Sequence, residues 1–214
     1  GPGRGPLPTL MTGLLTTIFY LADTDLRRRT IWMVGHSYVT RAQKWAKGGK
    51  REGGMWLSNT QVCWLGRPGM RWDQLVPAVS EALGRLPTPD VVVVHLGGND
   101  LTSKGRRQLV ISIQADLKRV ANLVRPAEVV WSEVVPRFIW RGAQSHAAIE
   151  TSRRRLNFAV KKICNSMGWG FVRHGLISLK VPGYYDKDGV HLNGVGLAMF
   201  MLDVSGVLES FGCT

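Results

Sequence analysis

The chain has 214 residues, 44% of them hydrophobic, with 28 Lys and Arg against 15 Asp and Glu and a formal net charge of +13. This length suits one α/β domain with a full core, and the apolar content excludes an intrinsically disordered chain. No apolar run reaches the roughly 20 residues a membrane-spanning helix needs, so a membrane partner is not expected, whereas the charge raises the odds of a polyanionic neighbour such as nucleic acid.

Residues 1–29 read as a tag remnant (Gly1-Pro2) followed by a leader segment, and residues 30–214 as one domain. The most apolar part of the leader, residues 10–22, is broken by Thr12, Gly13, Thr16 and Thr17. It is followed by Asp23-Thr24-Asp25 rather than by a small-x-small cleavage site. Cys63, Cys164 and Cys213 are odd in number and irregularly spaced. They read as free thiols in a reducing compartment, cytoplasm or nucleus, rather than as a disulfide framework or a zinc site.

In chain order, residues 30–34 read as a buried strand that ends in Gly35 and turns into a helix from Ser37. Residues 48–54 are loop by composition, 59–64 a short strand and 65–69 a turn. Residues 72–86 carry Leu75, Val79, Ala82 and Leu83 on one helical side, and Pro87 stops that helix. Residues 90–96 contain four consecutive valines, the mark of a strand buried on both faces. Residues 106–124 are an amphipathic helix striped by Leu109, Ile113, Leu117, Val120 and Leu123.

A strand over 128–135, a loop over 136–145 and a long helix over 147–167 follow. The buried side of that helix is expected to carry Ile149, Leu156, Val160, Ile163 and Met167. A short strand at 169–173, a loop at 180–189 and a closing helix at 193–208 complete the chain. Strict alternation of strand and helix specifies a parallel sheet covered on both faces, and such sheets bind ligands beyond the C-terminal ends of their strands.

Two candidate residues lie at those ends. Ser37 sits at a strand-to-helix turn, where its own N–H has no intrahelical acceptor and can serve a developing oxyanion. A serine there is equally an N-cap. Asn99 follows Gly97-Gly98 just past the valine strand and offers a side-chain N–H donor; the plainer alternative is an Asx turn. Near the C-terminus, Asp188 and His191 are three residues apart and can reach one site. The histidine would be the base a serine nucleophile needs and the carboxylate its orienter; the alternative is a surface aspartate beside a helix-capping histidine. Gly69, after Pro68, reads by itself as an ordinary Pro-Gly turn.

Taken together, Ser37, Gly69, Asn99 and His191, in this order, resemble the four signature blocks of the SGNH (GDSL-type) hydrolase superfamily. Gly97-Gly98-Asn99-Asp100 matches the family's G-x-N-D, and Asp188-Gly189-Val190-His191 its D-x-x-H. The resemblance covers residues 30–208. It implies a flavodoxin-like three-layer α/β/α fold with a mostly five-stranded parallel sheet. It also implies hydrolysis of an ester or thioester through an acyl-serine intermediate, with no metal or other cofactor. Ser37 would be the nucleophile, His191 the base and Asp188 its orienter, with Ser37, Gly69 and Asn99 forming the oxyanion hole.

One departure stands out. The family's Gly-Asp-Ser is here Gly35-His36-Ser37, which leaves His36 as a substrate-binding candidate or a partly exposed spacer. Phe138 and Trp140 are further substrate-binding candidates, or core and pocket wall. The basic, tryptophan-rich character is also similar to SGNH domains within some eukaryotic retroelement reading frames. A second function is therefore docking on nucleic acid through Arg153, Arg154, Arg155, Lys161 and Lys162, which repeat along the polar side of the long helix.

Overall fold

The structure is a computed structural model, and it describes residues 27–49 and 57–213. Most of the leader, its apolar stretch at 10–22 and most of the 48–54 loop lie outside the described residues.

Five parallel strands form one sheet: β1 (Arg29–Gly35), β2 (Thr60–Gly66), β3 (Val91–His95), β4 (Glu128–Ser132) and β5 (Gly170–Val172), in spatial order β2-β1-β3-β4-β5. Among the described residues five α-helices alternate with them: α1 (Ser37–Gly48), α2 (Leu75–Leu83), α3 (Arg106–Leu123), α4 (His146–Met167) and α5 (Gly194–Glu209). This is the expected three-layer α/β/α fold.

Successive strand residues point to opposite faces, which divides the core in two. Trp32, Val34, Val92, Val94 and Trp131 face one layer with α2, α3 and α4, where Leu75, Leu109, Ile113, Leu117 and Leu156 are buried. Ile31, Met33, Val91, Val93 and Val130 face the other layer with α1 and α5, against Val39, Ala42, Phe200 and Val204.

The strand order places the site. The chain leaves β1 toward β2 on one side and returns to β3 on the other. The connections after β1 and β3 therefore diverge and open a crevice at their C-terminal ends, the topological switch point. Ser37 follows β1 and Asn99 follows β3.

Several expectations shift at their edges. β2 runs to Gly66, because Leu65 and Gly66 stay in register with Val34 and Gly35. β4 ends at Ser132 rather than 135: the Asn157 side chain takes both the N–H and the carbonyl of Val134 and so replaces the ladder there. The 72–86 helix is a 3₁₀ turn at Trp72–Gln74 followed by α2, which ends at Leu83. On α4, Cys164 rather than Ile163 or Met167 completes the buried side, and on α3 Leu123 is exposed. All three cysteines are free. Among the described residues no helix is long and apolar enough to cross a membrane.

Candidate functional site

Ser37 is the first residue of α1. The preceding residue, His36, is buried at 1% exposure and caps the helix, its Nδ1 lying 3.4 Å from the Tyr38 N–H. The imidazole thus performs the local capping task itself. His36 contributes no surface to the cleft described below, so it is neither an exposed spacer nor, in this arrangement, a substrate contact.

The Asp188–His191 segment is held by its own backbone. Tyr185 and Leu192 form an antiparallel bridge, the Asp186 N–H bonds the His191 carbonyl at 2.8 Å, and the Gly189 N–H bonds the Asp186 carbonyl at 3.1 Å. Asn193 then caps α5 by accepting from the Val195 and Gly196 N–H groups. The Tyr38 hydroxyl, one residue past Ser37, donates to the Val190 carbonyl at 2.5 Å and ties this loop to α1.

The result is a continuous polar line. The Ser37 hydroxyl lies 3.0 Å from His191 Nε2, and His191 Nδ1 lies 2.5 Å from Asp188 Oδ2. The other carboxylate oxygen, Oδ1, accepts the backbone N–H groups of Val190 and His191, each at 2.9 Å. Burial works to raise the Asp188 carboxyl. The three hydrogen bonds from Val190 and His191, with the charge of His191, outweigh it and hold the group well below the usual carboxylate range.

A cleft of about 470 Å³ opens over this line, a size suited to a small molecule. Ser37, Gly69, Asn99, Trp140 and His191 all line it. Residues 67–70 make a turn closed by the Met70 N–H on the Arg67 carbonyl at 3.0 Å, with Pro68 second and Gly69 third at φ +73°. This is a type II turn, whose central peptide makes no hydrogen bond within the turn, so the Gly69 N–H is available.

Asn99 is oriented from both ends: its Nδ2 donates to the Met70 carbonyl at 3.1 Å and its Oδ1 accepts from Arg137 Nη1 at 3.1 Å. One amide proton of Asn99 remains for a ligand. Asp100, fully buried, accepts the Trp72 N–H at 3.0 Å and joins the turn's segment to the Asn99 segment; its burial raises the carboxyl.

Arg137 was not singled out by the sequence, although it lies in the loop after β4. It is 7% exposed, and its guanidinium sits 5.7 Å from the Tyr38 ring and 5.0 Å from the Trp140 ring. Its space depends on Gly98: a Cβ there would stand 2.8 Å from Arg137 Nη2. Trp140 is buried along the cleft wall, with its indole N–H on Glu150. Phe138, by contrast, packs edge-on against Tyr185 inside the α1/α5 layer and contributes nothing to the cleft.

Of the proposed nucleic-acid residues, Arg153 is half-buried, paired with Glu150 and bonded to the Val134 carbonyl; Arg154, Arg155, Lys161 and Lys162 are exposed. Among the described residues no three His, Cys, Asp or Glu side chains cluster as metal ligands.

A second Ser–His–Asp line exists. Ser132 Oγ lies 2.8 Å from His174 Nε2, and His174 Nδ1 lies 3.0 Å from Asp203 Oδ2. Ser132 also meets His95 Nδ1 at 2.9 Å, and it is fully buried. The hydrogen-bond geometry matches that of Ser37, but no substrate can reach this serine. Access separates the two lines.

No family model matches the chain, and no curated protein is similar to it in sequence. Solved structures are similar in fold. One is a member of the lipolytic protein G-D-S-L family from Veillonella parvula DSM 2008, with TM-score 0.66 and 12% identity over 85% of this chain and 98% of that one. A GDSL-like lipase from Bacteroides thetaiotaomicron VPI-5482 has TM-score 0.66 and 16% identity over 91% and 97%. A catalytic mutant of an acetylxylan esterase from Geobacillus stearothermophilus has TM-score 0.61 and 13% identity over 87% and 95%. The chain therefore has the fold of the GDSL/SGNH lipolytic hydrolases.

Proposed function

We propose that this protein is a serine esterase that hydrolyses a small, acetyl-like acyl ester. The observation that carries the reading is the unbroken Ser37–His191–Asp188 line, whose Ser37 and His191 face an open cleft beside three N–H donors while Asp188 stands behind them. The fold shared with an acetylxylan esterase supports the same class.

The geometry supports the following steps. Asp188 holds His191 with its proton on Nδ1, which leaves Nε2 to accept the Ser37 proton as Oγ attacks the ester carbonyl carbon. The negative charge that develops on the carbonyl oxygen is met by the Ser37 and Gly69 N–H groups and the Asn99 amide. Collapse of the tetrahedral intermediate breaks the carbon–oxygen bond to the alcohol, which leaves with the proton from His191. Water then attacks the acyl-serine, giving its proton to His191, and the acid departs as Ser37 recovers its own proton.

The reading is tested with a fluorophosphonate and with para-nitrophenyl esters of rising chain length. The probe is expected to add its mass to the peptide containing Ser37, and acetyl is expected to turn over faster than long acyl chains. Labelling elsewhere, or turnover retained in Ser37→Ala, refutes it.

A second reading rests on a separate groove of about 620 Å³ beside α4. Arg154, Lys161, Arg173 and Lys180 line it with Glu133 and Glu150, around Phe158, which is 63% exposed and carries Lys162 Nζ 4.7 Å over its ring. Cations beside an open ring suit the phosphates and bases of a single strand. Binding of a fluorescent oligonucleotide is expected to weaken steeply between about 50 and 200 mM salt and to fall in Phe158→Ala. Salt-insensitive or absent binding removes this reading.

A further inference from the structure

The catalytic cleft is cationic throughout. Arg41, Lys44, Arg71, Arg137 and Arg141 all line it, and among the described residues no aspartate or glutamate does. Arg41, Lys44 and Thr40 follow Ser37 along one face of α1, spaced so that each lies a turn or two from the nucleophile. Arg71 stands just past the Gly69 turn and donates to the Ser103 hydroxyl at 2.6 Å.

Two of these cations are partly neutralised from outside the cleft. Arg41 pairs with Asp186 at 2.5 Å, and Arg141 lies 3.8 Å from Asp188. Among the described residues, Lys44, Arg71 and Arg137 have no carboxylate partner. For Lys44 and Arg71, at the exposed rim, this is unremarkable.

For Arg137 it is not. The residue is more than nine-tenths buried, its Nε has no hydrogen-bond partner, and its terminal nitrogens face the Asn99 amide oxygen, the His36 imidazole and the Tyr38 hydroxyl rather than a carboxylate. The nearby Glu150 carboxylate gives Oε2 to Arg153, and its Oε1 accepts the Arg137 backbone N–H and the Trp140 indole N–H, so neither oxygen pairs with the Arg137 guanidinium. Glu150 acts on Arg137 only from beyond ion-pair distance; burying a cation without a carboxylate in contact is costly, so the fold sustains a positive potential at the floor of the cleft beside Asn99.

We propose that the ester this site selects carries its own anionic group, a carboxylate or a phosphate monoester, which supplies the missing negative charge. The inference rests on the esterase reading above and narrows its substrate class. Lys44 and Arg71 meet the anion at the rim, and the buried charge of Arg137 adds to the potential that draws it in.

The test compares para-acetoxybenzoate and para-acetoxyphenyl phosphate with the neutral methyl ester of para-acetoxybenzoate. Each kcat/KM is divided by the rate of spontaneous hydrolysis. At low salt an anionic ester is expected to lead by about tenfold, the scale of one charged hydrogen bond. The lead is expected to shrink in about 0.5 M salt, where exposed charges are screened. It is expected to fall at least about threefold in the Lys44→Gln/Arg71→Gln double variant, since only part of the potential is removed. The two anions tell a carboxylate site from a phosphate site.

Equal or faster turnover of the neutral ester overturns the inference and leaves the esterase standing. So does competitive inhibition by an oligonucleotide with no preference among the small esters. Absence of any Ser37-dependent turnover refutes the esterase reading, and this inference with it.

Discussion

Replacing His191 by alanine is expected to lower kcat for ester hydrolysis by about 10⁴-fold or more, and adding Ser37→Ala is expected to cost little further. The reason lies in how the proton moves. Ser37 Oγ has one acceptor aligned with it, His191 Nε2 at 3.0 Å, and a serine hydroxyl without a base is a weak nucleophile. Removing either end of that bond removes the same step, so the losses do not add.

Asp188→Asn makes the point from the other side. It keeps the shape but offers His191 Nδ1 an uncharged partner that can present the wrong hydrogen-bonding group, and kcat is expected to fall by about 10²–10⁴-fold. Residual activity in every variant is expected from the proposed Gly69 and Asn99 donors. Steady-state kinetics on para-nitrophenyl acetate measure all four proteins. Losses that multiply in the His191/Ser37 double variant would show that the two side chains act independently and would sink the mechanism.

The second large effect concerns stability in acid. His36 and His95 are both fully buried, with ring centroids 4.9 Å apart. Desolvation holds each imidazole well below its ordinary range. The positive charge of Arg137 adds to this at both, and the neighbouring histidines, His191 for His36 and His36 and His174 for His95, push the same way. Around His95 the remaining neighbours are the Ser132 hydroxyl and the Tyr38 and Phe200 rings.

Both side chains are therefore neutral in the folded protein, while in the unfolded chain they take up protons near pH 6.5. The unfolded state binds more protons below that pH, so stability is complete above about 6.5 and is lost as the pH falls. The slope reaches about 1.4 kcal/mol per pH unit for each histidine, or nearly 3 for the pair. Asp100, raised by burial, works in the opposite direction, but as a single carboxyl against two imidazoles. Urea unfolding at pH 7.5, 6 and 5 measures the slope, with His95→Gln expected to halve it. Stability that stays flat from pH 7.5 to 5 would refute the assignment.

The layers and much of the site were legible because their causes are local. Four adjacent valines bury a strand on both faces whatever surrounds them, and the stripe Leu109, Ile113, Leu117 and Val120 faces the sheet by its spacing alone. Ser37 and Asn99 could be placed because a residue just past a strand of a parallel sheet stands at the sheet's binding edge. Asp188 and His191 could be joined because three residues separate them.

What the residues could not tell in isolation is what surrounds each functional group. Arg137 orients Asn99 across 38 positions, Tyr38 reaches Val190 across 152, and Asp100 binds Trp72 across 28. Nor could spacing separate Ser37 from Ser132, since each serine meets a histidine–aspartate pair at hydrogen-bonding distance. Periodicity and local turns, which the chain writes in its neighbours, determined the fold and the position of Ser37. Burial, which depends on what distant segments pack over a side chain, decided which serine faces an open cleft, which arginine is buried without an ion pair and which histidines stay neutral.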